Sequence, residues 1–407
     1  MSSSPAESKQ TGVSLTQDAW RRLKKSTAAM VALWTLVVVA VLAFFTPVLP
    51  RQPPDSDVTQ LKFAPPSLWP LLESGFAFDP ERDAEARSRL PEARKRYKAS
   101  LKSLADAHDS GASEEALDKA FRETTQARAA IDALTQRAYA EVGFPKLGPL
   151  ARLMVRVRYA VFGEWQLGSV CGRDKLGRDI LSRIFWGARV SLIVGVVATL
   201  VSLVIGVTYG AVSGYAGGWV DNVMMRIVDV LYSVPFIFLV IFMISILGQD
   251  ENKEWLESQG VDRIMIFYFV VGAIYWLTMA RVVRGQVVSL RNEQFVEAAR
   301  SLGVSQIAIV FRHIVPNLLS IVLVYLTLTI PRVVLFEAFL SFLGLGVEPP
   351  DVSWGLLANE GIQVITPIKI YWWLIVFPSI AIGVTLFALN FLGDGLRDAF
   401  DPRMKGR

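Results

Sequence analysis

One stretch of this 407-residue chain has residue types and spacing suited to work on another molecule: 293–316, EQFVEAARSLGVSQIAIVFRHIVP. Glu297, Ala298 and Ala299 precede Gly303, a residue that accepts turn conformations closed to others, and Pro316 stands at the foot of the apolar run that follows. Long apolar runs flank the stretch, yet it is itself too polar and too basic for lipid. It therefore reads as a short helix, a turn and a re-entry on a membrane surface, where small side chains let a second surface approach closely. The plainer alternative is an amphipathic surface helix whose alanines are ordinary helix formers. Covalent chemistry has no candidate. No segment reads G-x-x-x-x-G-K-[ST], the loop that cradles nucleotide phosphates, and neither a G-x-S-x-G elbow nor an H-E-x-x-H pair occurs. Cys171 is the single cysteine, which excludes an internal disulfide or a cysteine-based metal cluster. His108 and His313 are far apart, so no metal, no cofactor and no enzyme activity is expected of this chain.

The elements that must position the stretch are membrane spans. Apolar residues are bunched into runs of about 20, the length that crosses hydrocarbon, and the mean hydropathy is +0.39. The runs at 28–49, 191–212, 227–247, 265–282, 314–336 and 371–393 predict an all-α, polytopic membrane protein of six transmembrane helices. A formal net charge of +5 could suggest a nucleic-acid partner, but the basic residues gather beside the apolar runs, which points to topology and to no nucleic acid. Arg281, Arg284, Arg291, Arg300 and Arg312 surround the 293–316 loop, and Arg397, Arg403, Lys405 and Arg407 mark the C-terminal tail, whereas 249–262 and 337–369 are mainly acidic. The positive-inside rule then puts both termini and the loop in the cytoplasm, the side where ATP is. Inside the spans, Thr327, Thr329, Arg332 and Asn390 break the apolar pattern, with Pro235, Pro331 and Pro378 nearby. They suit either the wall of a translocation path or ordinary interhelical hydrogen bonding. Arg332 would cost about 2.5 to 3.5 kcal/mol at mid-span, so it snorkels to the outer end or faces the pathway. Asp229 is the one acidic residue expected within a span.

Between the first two spans lies the longest polar region. Residues 1–12 read as a disordered start, and 13–25 as an interfacial helix with a Trp20 anchor or as a charged flank that fixes orientation. The first span reads as a retained signal anchor. Within 50–186, the segment 81–141 predicts an antiparallel hairpin of two helices, each of about 25 residues and about 40 Å long, with Gly111 near its middle. Leu90, Tyr97, Leu101 and Leu104 recur at heptad-like spacing, as do Leu117, Phe121, Ile131 and Leu134 with Ala127 and Ala138. Balanced charge makes this a solvated surface, either a docking element or a decoration with no separate role. At 150–162, Leu153, Met154, Val155 and Tyr159 alternate with Arg152, Arg156 and Arg158, as in an interfacial helix.

Two further motifs flank the core. In 171–192, CGRDKLGRDILSRIFWGARVSL, two glycines among paired charges suit a tight turn locked by Asp and Arg contacts. In 340–355, LSFLGLGVEPPDVSWG, Gly344 and Gly346 permit tight turns, Pro349 and Pro350 stiffen the loop, and Trp354 suits a membrane interface. The 293–316 stretch resembles the EAA loop of the membrane-spanning subunits of bacterial ABC importers, with His313 where the general pattern has Ile and Val315 where it has Leu. The other two motifs resemble the C-type permease subunit of dipeptide and oligopeptide importers, in which GTDxLGRDxxSR followed by GARxSL leads into the second span. Here Arg173 replaces Thr, while Asp174, Leu176, Gly177, Arg178, Asp179, Ser182, Arg183, Gly187, Ala188, Arg189 and Ser191 match.

The resemblance covers 165–400 closely and 15–50 weakly, and leaves the hairpin out. It implies the type I ABC importer permease fold, to which the hairpin read from its own periodicity is an extracytoplasmic helical insertion. The implied division is a cytoplasmic tail and interfacial helix at 1–27, a first transmembrane helix at 28–49, an extracytoplasmic region at 50–186, a permease core at 187–393 with its coupling loop at 283–313, and a cytoplasmic tail at 394–407. It also implies the bacterial cytoplasmic (inner) membrane and a peptide or peptide-like solute. The implied partners are a second homologous permease subunit, two ABC ATPase subunits that carry the ATP, an extracytoplasmic solute-binding protein and the lipid bilayer. Glu297, Ala298, Ala299, Gly303 and Pro316 would then couple to the ATPase, and Asp174, Gly177, Arg178, Asp179, Arg183, Gly187 and Arg189 would form a structural motif before the second span. A membrane receptor or scaffold that binds protein through the hairpin is the alternative. An ion-coupled carrier is disfavoured because acidic side chains are nearly absent from the spans.

Overall fold

The computed structural model describes residues 15–247 and 263–400; the polar start at 1–12, the acidic loop at 249–262 and the basic Arg403, Lys405 and Arg407 lie outside them. Among the described residues, five helices are long and apolar enough to cross a membrane: α2 (Thr27–Phe45, carried on by a 3₁₀ turn to Val48), α6 (Ile180–Ala216), α9 (Arg263–Leu290), α11 (Val315–Phe342) and α13 (Trp373–Phe400). The expected span 227–247 is broken. α7 (Gly218–Ser233) ends before Pro235, α8 (Phe236–Leu247) follows, and the pair is bent by 93°, so it makes a sixth span only if the two are read together. Proline lacks the N–H and clashes with the preceding turn, which accounts for the break.

α6 and α9 form the most extensive helix pair. Gly206, Gly210 and Gly214 repeat every four residues and so share one face of α6. A Cβ on Gly210 would lie 2.3 Å from the Ala280 carbonyl oxygen, one on Gly206 2.6 Å from Met279 Cβ, and one on Gly214 2.8 Å from the Arg284 carbonyl oxygen. Gly272 returns the fit against Ala198 and Val201. Small residues that let backbones touch are what associates helices in lipid, where no hydrophobic difference drives them together. α11 packs on α6 and α13, α13 lies along α2, and α1 (Leu15–Lys25) folds back on the end of α13 through Ala19, Leu23, Ala29 and Ala399.

α11 runs past 336, where the fifth span was expected to end, because Glu337 is not a loop residue. It is fully buried in the helix, and accepts hydrogen bonds from Ser191 Oγ at 2.9 Å and Ser341 Oγ at 2.8 Å. Asp229, expected as the one acidic span residue, is instead largely exposed and paired with Arg281 at 2.8 Å. Trp354 is likewise no interface anchor: it opens α12 (Trp354–Gln363), is buried, and donates from Nε1 to the Ile184 carbonyl at 2.9 Å. Gly187 faces it, with room for a Cβ only 3.2 Å from the indole.

Outside the spans, α3 (Pro80–Asp109) and α4 (Glu114–Ala140) form the expected hairpin across Gly111, at φ +63°. Asp79 caps α3 by accepting from the Glu81 and Arg82 amides. The inward seam steps by three and four residues through Leu90, Ala93, Tyr97, Ser100 and Leu104, facing Leu117, Ala120, Thr124, Ala127, Ile131, Leu134 and Ala138. Leu101, expected in the seam, is 41% exposed because the 3–4 step selects Ser100, and the expected Phe121 is half-buried beside Ala120. An aromatic cluster of Phe76, Phe78, Tyr139 and Phe144 with Val155 ties the hairpin base to Trp186 of α6. A two-stranded antiparallel pair, β1 (Leu72–Ser74) with β2 (Trp165–Leu167), had no sequence signal.

The interfacial helix expected at 150–162 is α5 (Pro149–Phe162), and it turns one apolar stripe outward. Its exposed stripe is Leu150, Leu153, Val157 and Val161, while Arg158 is completely buried. The Arg158 guanidinium lies 3.2 Å over the Phe76 ring and donates through Nη2 to the carbonyls of Arg51 and Trp165. Burial pushes its pKa down to about 10.

The glycine seam predicts that Gly210→Leu destabilises the detergent-purified chain by at least the ~1–3 kcal/mol of an overpacked core, read as a lower melting temperature. Gly383→Leu in α13, with nothing within 4 Å of its Cβ, serves as the control. Equal melting of the two variants would contradict the seam.

Candidate functional site

The 293–316 stretch begins two residues after α9 ends. Glu293 stands at the N-cap of α10 (Gln294–Ser301), Gly303 follows at φ +75°, and Ser305 caps a short turn at Gln306–Ala308 by accepting from the Ala308 amide at 3.4 Å. The left-handed Gly303 receives no neighbour within 4 Å of a Cβ, so its constraint is backbone conformation alone. A π-helical segment, Ile309–Ile314, widens the chain before it tightens into α11, and Pro316 sits in the first turn of α11, where its missing N–H costs nothing.

The two alanines face opposite ways. Val296 and Ala299 are buried and join Ile309, Val310 and Ile314 against Val283 and Val287 of α9 and Ala211 of α6. Glu297 and Ala298 are exposed. Around them stand apolar side chains left open to solvent, Leu302 at 83% and Ile307 at 75%, with Phe311 and Phe295 less so. Polar contacts close the loop's root. Arg284 Nε donates to Asp221 Oδ1 at 3.0 Å, Arg291 Nη1 to the Gly214 carbonyl at 3.2 Å, and Arg300 Nε to Tyr215 Oη at 3.3 Å. The loop is thus fixed on its inner face and apolar on its outer one.

A cavity of about 430 Å³ opens where the break between α7 and α8 meets α9 and α11. Thr329 and Arg332 line it together with Tyr232, Tyr275 and Tyr325. Arg332 is exposed, and Tyr275 Oη donates to its carbonyl at 3.2 Å. Thr327 and Asn390 are not part of this wall. Thr327 donates to the Val324 carbonyl and lies in the α11–α13 seam beside Gly393, and Asn390 donates to the Leu386 carbonyl.

The 171–192 motif is a buried ionic knot. Gly172 and Gly177 both take positive φ, and a Gly177 Cβ would lie 2.0 Å from the Val58 carbonyl oxygen. Asp174 accepts from Arg178 Nε at 2.7 Å, Arg183 Nη1 at 2.8 Å, and the Leu176 and Arg178 amides at 2.9 Å. Glu360 of α12 closes the knot from across the fold by pairing with both Arg178 and Arg183. Asp179 caps α6 by accepting from the Ser182 amide at 2.9 Å. Arg189 lies 4.7 Å from the Trp186 ring centroid. Glu360 and the Gly206–Gly214 repeat were missed from sequence, although the small-xxx-small spacing of the glycines is readable there. Burial alone would raise the Asp174 pKa, but Arg183 and Arg178, with the Arg178 amide, outweigh it and hold the carboxyl below 3.8. Burial pushes Asp179 the other way.

A loop locked inward and apolar outward, together with a cavity among the spans, suits a membrane transport subunit, and sequence comparison agrees. The family described as "Binding-protein-dependent transport system inner membrane component" matches residues 202–406, and the N-terminal TM domain of oligopeptide transport permease C matches 14–66. The chain belongs to the first family: it is a multi-pass permease subunit of a binding-protein-dependent transport system of the inner membrane. It is 45% identical over 232 residues to the oligopeptide transport system permease protein OppC of Haemophilus influenzae, covering 57% of this chain and 70% of that protein. It is 42% identical over 234 residues to the dipeptide transport system permease protein DppC of Bacillus subtilis, covering 58% and 68%. To OppC of Escherichia coli it is 47% identical over 240 residues, covering 59% and 74%. The hairpin falls between the two family matches.

Breaking one arm of a buried ion pair costs roughly 3–5 kcal/mol, so Asp174→Asn should lower the melting temperature markedly. A carboxyl with a depressed folded pKa gives stability that is complete above its unfolded value of 3.8 and is lost as pH falls through the folded value. The gap between wild type and variant should therefore be constant above pH 3.8 and close below it. A pH-independent gap would show that the charge of Asp174 is not what matters.

Proposed function

We propose that this chain is one of two permease subunits of an ATP-driven ABC importer for peptides or peptide-like solutes. The observation that carries the reading is the loop itself: Glu297 and Ala298 on α10, with Leu302 and Ile307 just beyond it, face solvent, while Val296 and Ala299 on the other side of α10 are built into the core. Exposed apolar patches rimmed by charge mark protein contacts, and this patch is the docking face for an ATPase subunit. ATP is held by the two ATPase subunits and none by this chain. Relatives named for oligopeptide and dipeptide transport support the solute class. The arginines around the loop, Arg281, Arg284, Arg291, Arg300 and Arg312, support a cytoplasmic loop and cytoplasmic termini. The hairpin and the ionic knot then stand on the outer side, where a solute-binding protein delivers its cargo.

In this mechanism ATP closes the two motor subunits, α10 moves with them, and α9 and α11 carry the displacement to the cavity. The two states differ in affinity for solute and for ATP, and only that difference shifts the equilibrium. Thr329 and Arg332 are assigned to the path by their place in the cavity; Thr327 sits in the α11–α13 seam, and Asn390 is exposed and bonds within its own helix. No residue of this chain performs covalent chemistry. Of the coupling residues, Glu297 and Ala298 touch the motor, Ala299 anchors the helix inward, Gly303 sets its end, and Pro316 starts the span that it moves.

Affinity purification in mild detergent tests the docking face. Wild type should bring an ATPase subunit with it, and Glu297→Arg should lose most of that subunit while melting like wild type. Full retention of the ATPase by the variant, or no ATPase with either chain from intact membrane assemblies, would sink the reading.

A further inference from the structure

The base of the hairpin holds a cleft that the transport mechanism does not use. About 160 Å³ in volume, it is lined by Arg87, Arg152 and Arg156 against a single carboxylate, Asp83, with Leu90 and Leu134 as apolar wall. Asp83 is already committed: Tyr139 Oη donates to it at 2.8 Å, and Arg156 Nε and Arg87 Nε lie 2.8 and 3.0 Å away. Arg152 reaches only the Thr135 carbonyl, at 3.3 Å, and its Nε is buried without a partner among the described residues. Two guanidiniums share one carboxylate and a third has none, so the cleft carries an excess of positive charge and unused donors that match a phosphate.

The helix that supplies two of these arginines presents apolar residues to the outside. α5 exposes Leu150, Leu153, Val157 and Val161 in one stripe, with Phe162 and Trp165 at its end. It also packs on the 3₁₀ turn that finishes the first span. An apolar stripe continuous with a transmembrane helix, beside a cationic cleft, has the chemistry of the acyl–headgroup boundary.

We propose that this cleft binds the phosphate of an anionic phospholipid, with the acyl chains lying along the exposed stripe of α5. The lipid would fix the hairpin base against the membrane through Arg87, Arg152 and Arg156. The site is independent of ATP coupling, and it stands or falls apart from the transport reading.

The test is native mass spectrometry of the assembled transporter containing the full chain, incubated with phosphatidylglycerol or phosphatidylcholine. Wild type should retain phosphatidylglycerol preferentially, and Arg152→Gln and Arg87→Gln should each lower that retention about fivefold, the worth of one basic side chain beside anionic lipid. Arg87 is half-exposed at the rim, so its variant folds even if Arg152→Gln melts early. Arg94→Gln, elsewhere on α3 and exposed, should bind like wild type. Retention unchanged in both cleft variants would overturn the proposal. So would displacement of the lipid by millimolar inorganic phosphate, which would mark a free-phosphate site. Absence of the lipid from the assembly while the isolated full chain binds it would also overturn the proposal, assigning the face to a partner subunit.

Discussion

The close approach of α6 and α9 is the constraint on which the other contacts rest. With Gly206, Gly210 and Gly214 facing the α9 backbone, the two helices meet without intervening side chains. Dispersion and shape hold such a contact in lipid, and both fail if the backbones separate. The 293–316 loop is built on the end of this pair. Val296, Ala299 and Ile309 pack in one core cluster with Ala211 of α6 and Val283 and Val287 of α9, so α10 is seated on both helices.

Polar groups are placed at the two ends of this apolar frame, and each has a defined task. At the loop end, Arg284 with Asp221 and Arg291 with the Gly214 carbonyl clamp the chain where glycine leaves no side chain to pack. At the opposite end, Asp174, Arg178, Arg183 and Glu360 join the entry of α6 to α12. Glu337 is the exception in kind. It is a buried carboxylate without an ion pair among the described residues, solvated by Ser191 and Ser341. It is not among the residues that line the cavity beside Arg332, and through Ser191 it ties α6 to α11.

Where periodicity or turn chemistry decided the outcome, the sequence was legible. The hairpin, its turn at Gly111, the Asp–Arg knot and the surface helix at Glu297 all followed from spacing. What escaped depends on partners distant in the chain. Glu337 read as a loop acid because its three-serine surroundings, Ser191, Ser341 and Ser353, come from separate segments. Trp354 read as an interface anchor until Gly187 supplied its slot, and Arg158 read as a surface charge until Phe76 covered it. Ala298 and Ala299 looked equivalent, and only the helix phase separates an exposed residue from a core residue. The glycine repeat of α6 was visible but carries meaning only once α9 is known to lie against it.

The measurement that bears most directly on the lever is a spin-label distance across the joint between α9 and α10. Labels at Ser289 and Ser301, both exposed, would be placed in a Cys171→Ala background and read in the assembled transporter with and without ATP. A rigid loop predicts one distance distribution in both states while solute uptake responds to ATP. A distribution that shifts on adding ATP would show that the loop hinges on α9, and would contradict transmission through the glycine-packed pair.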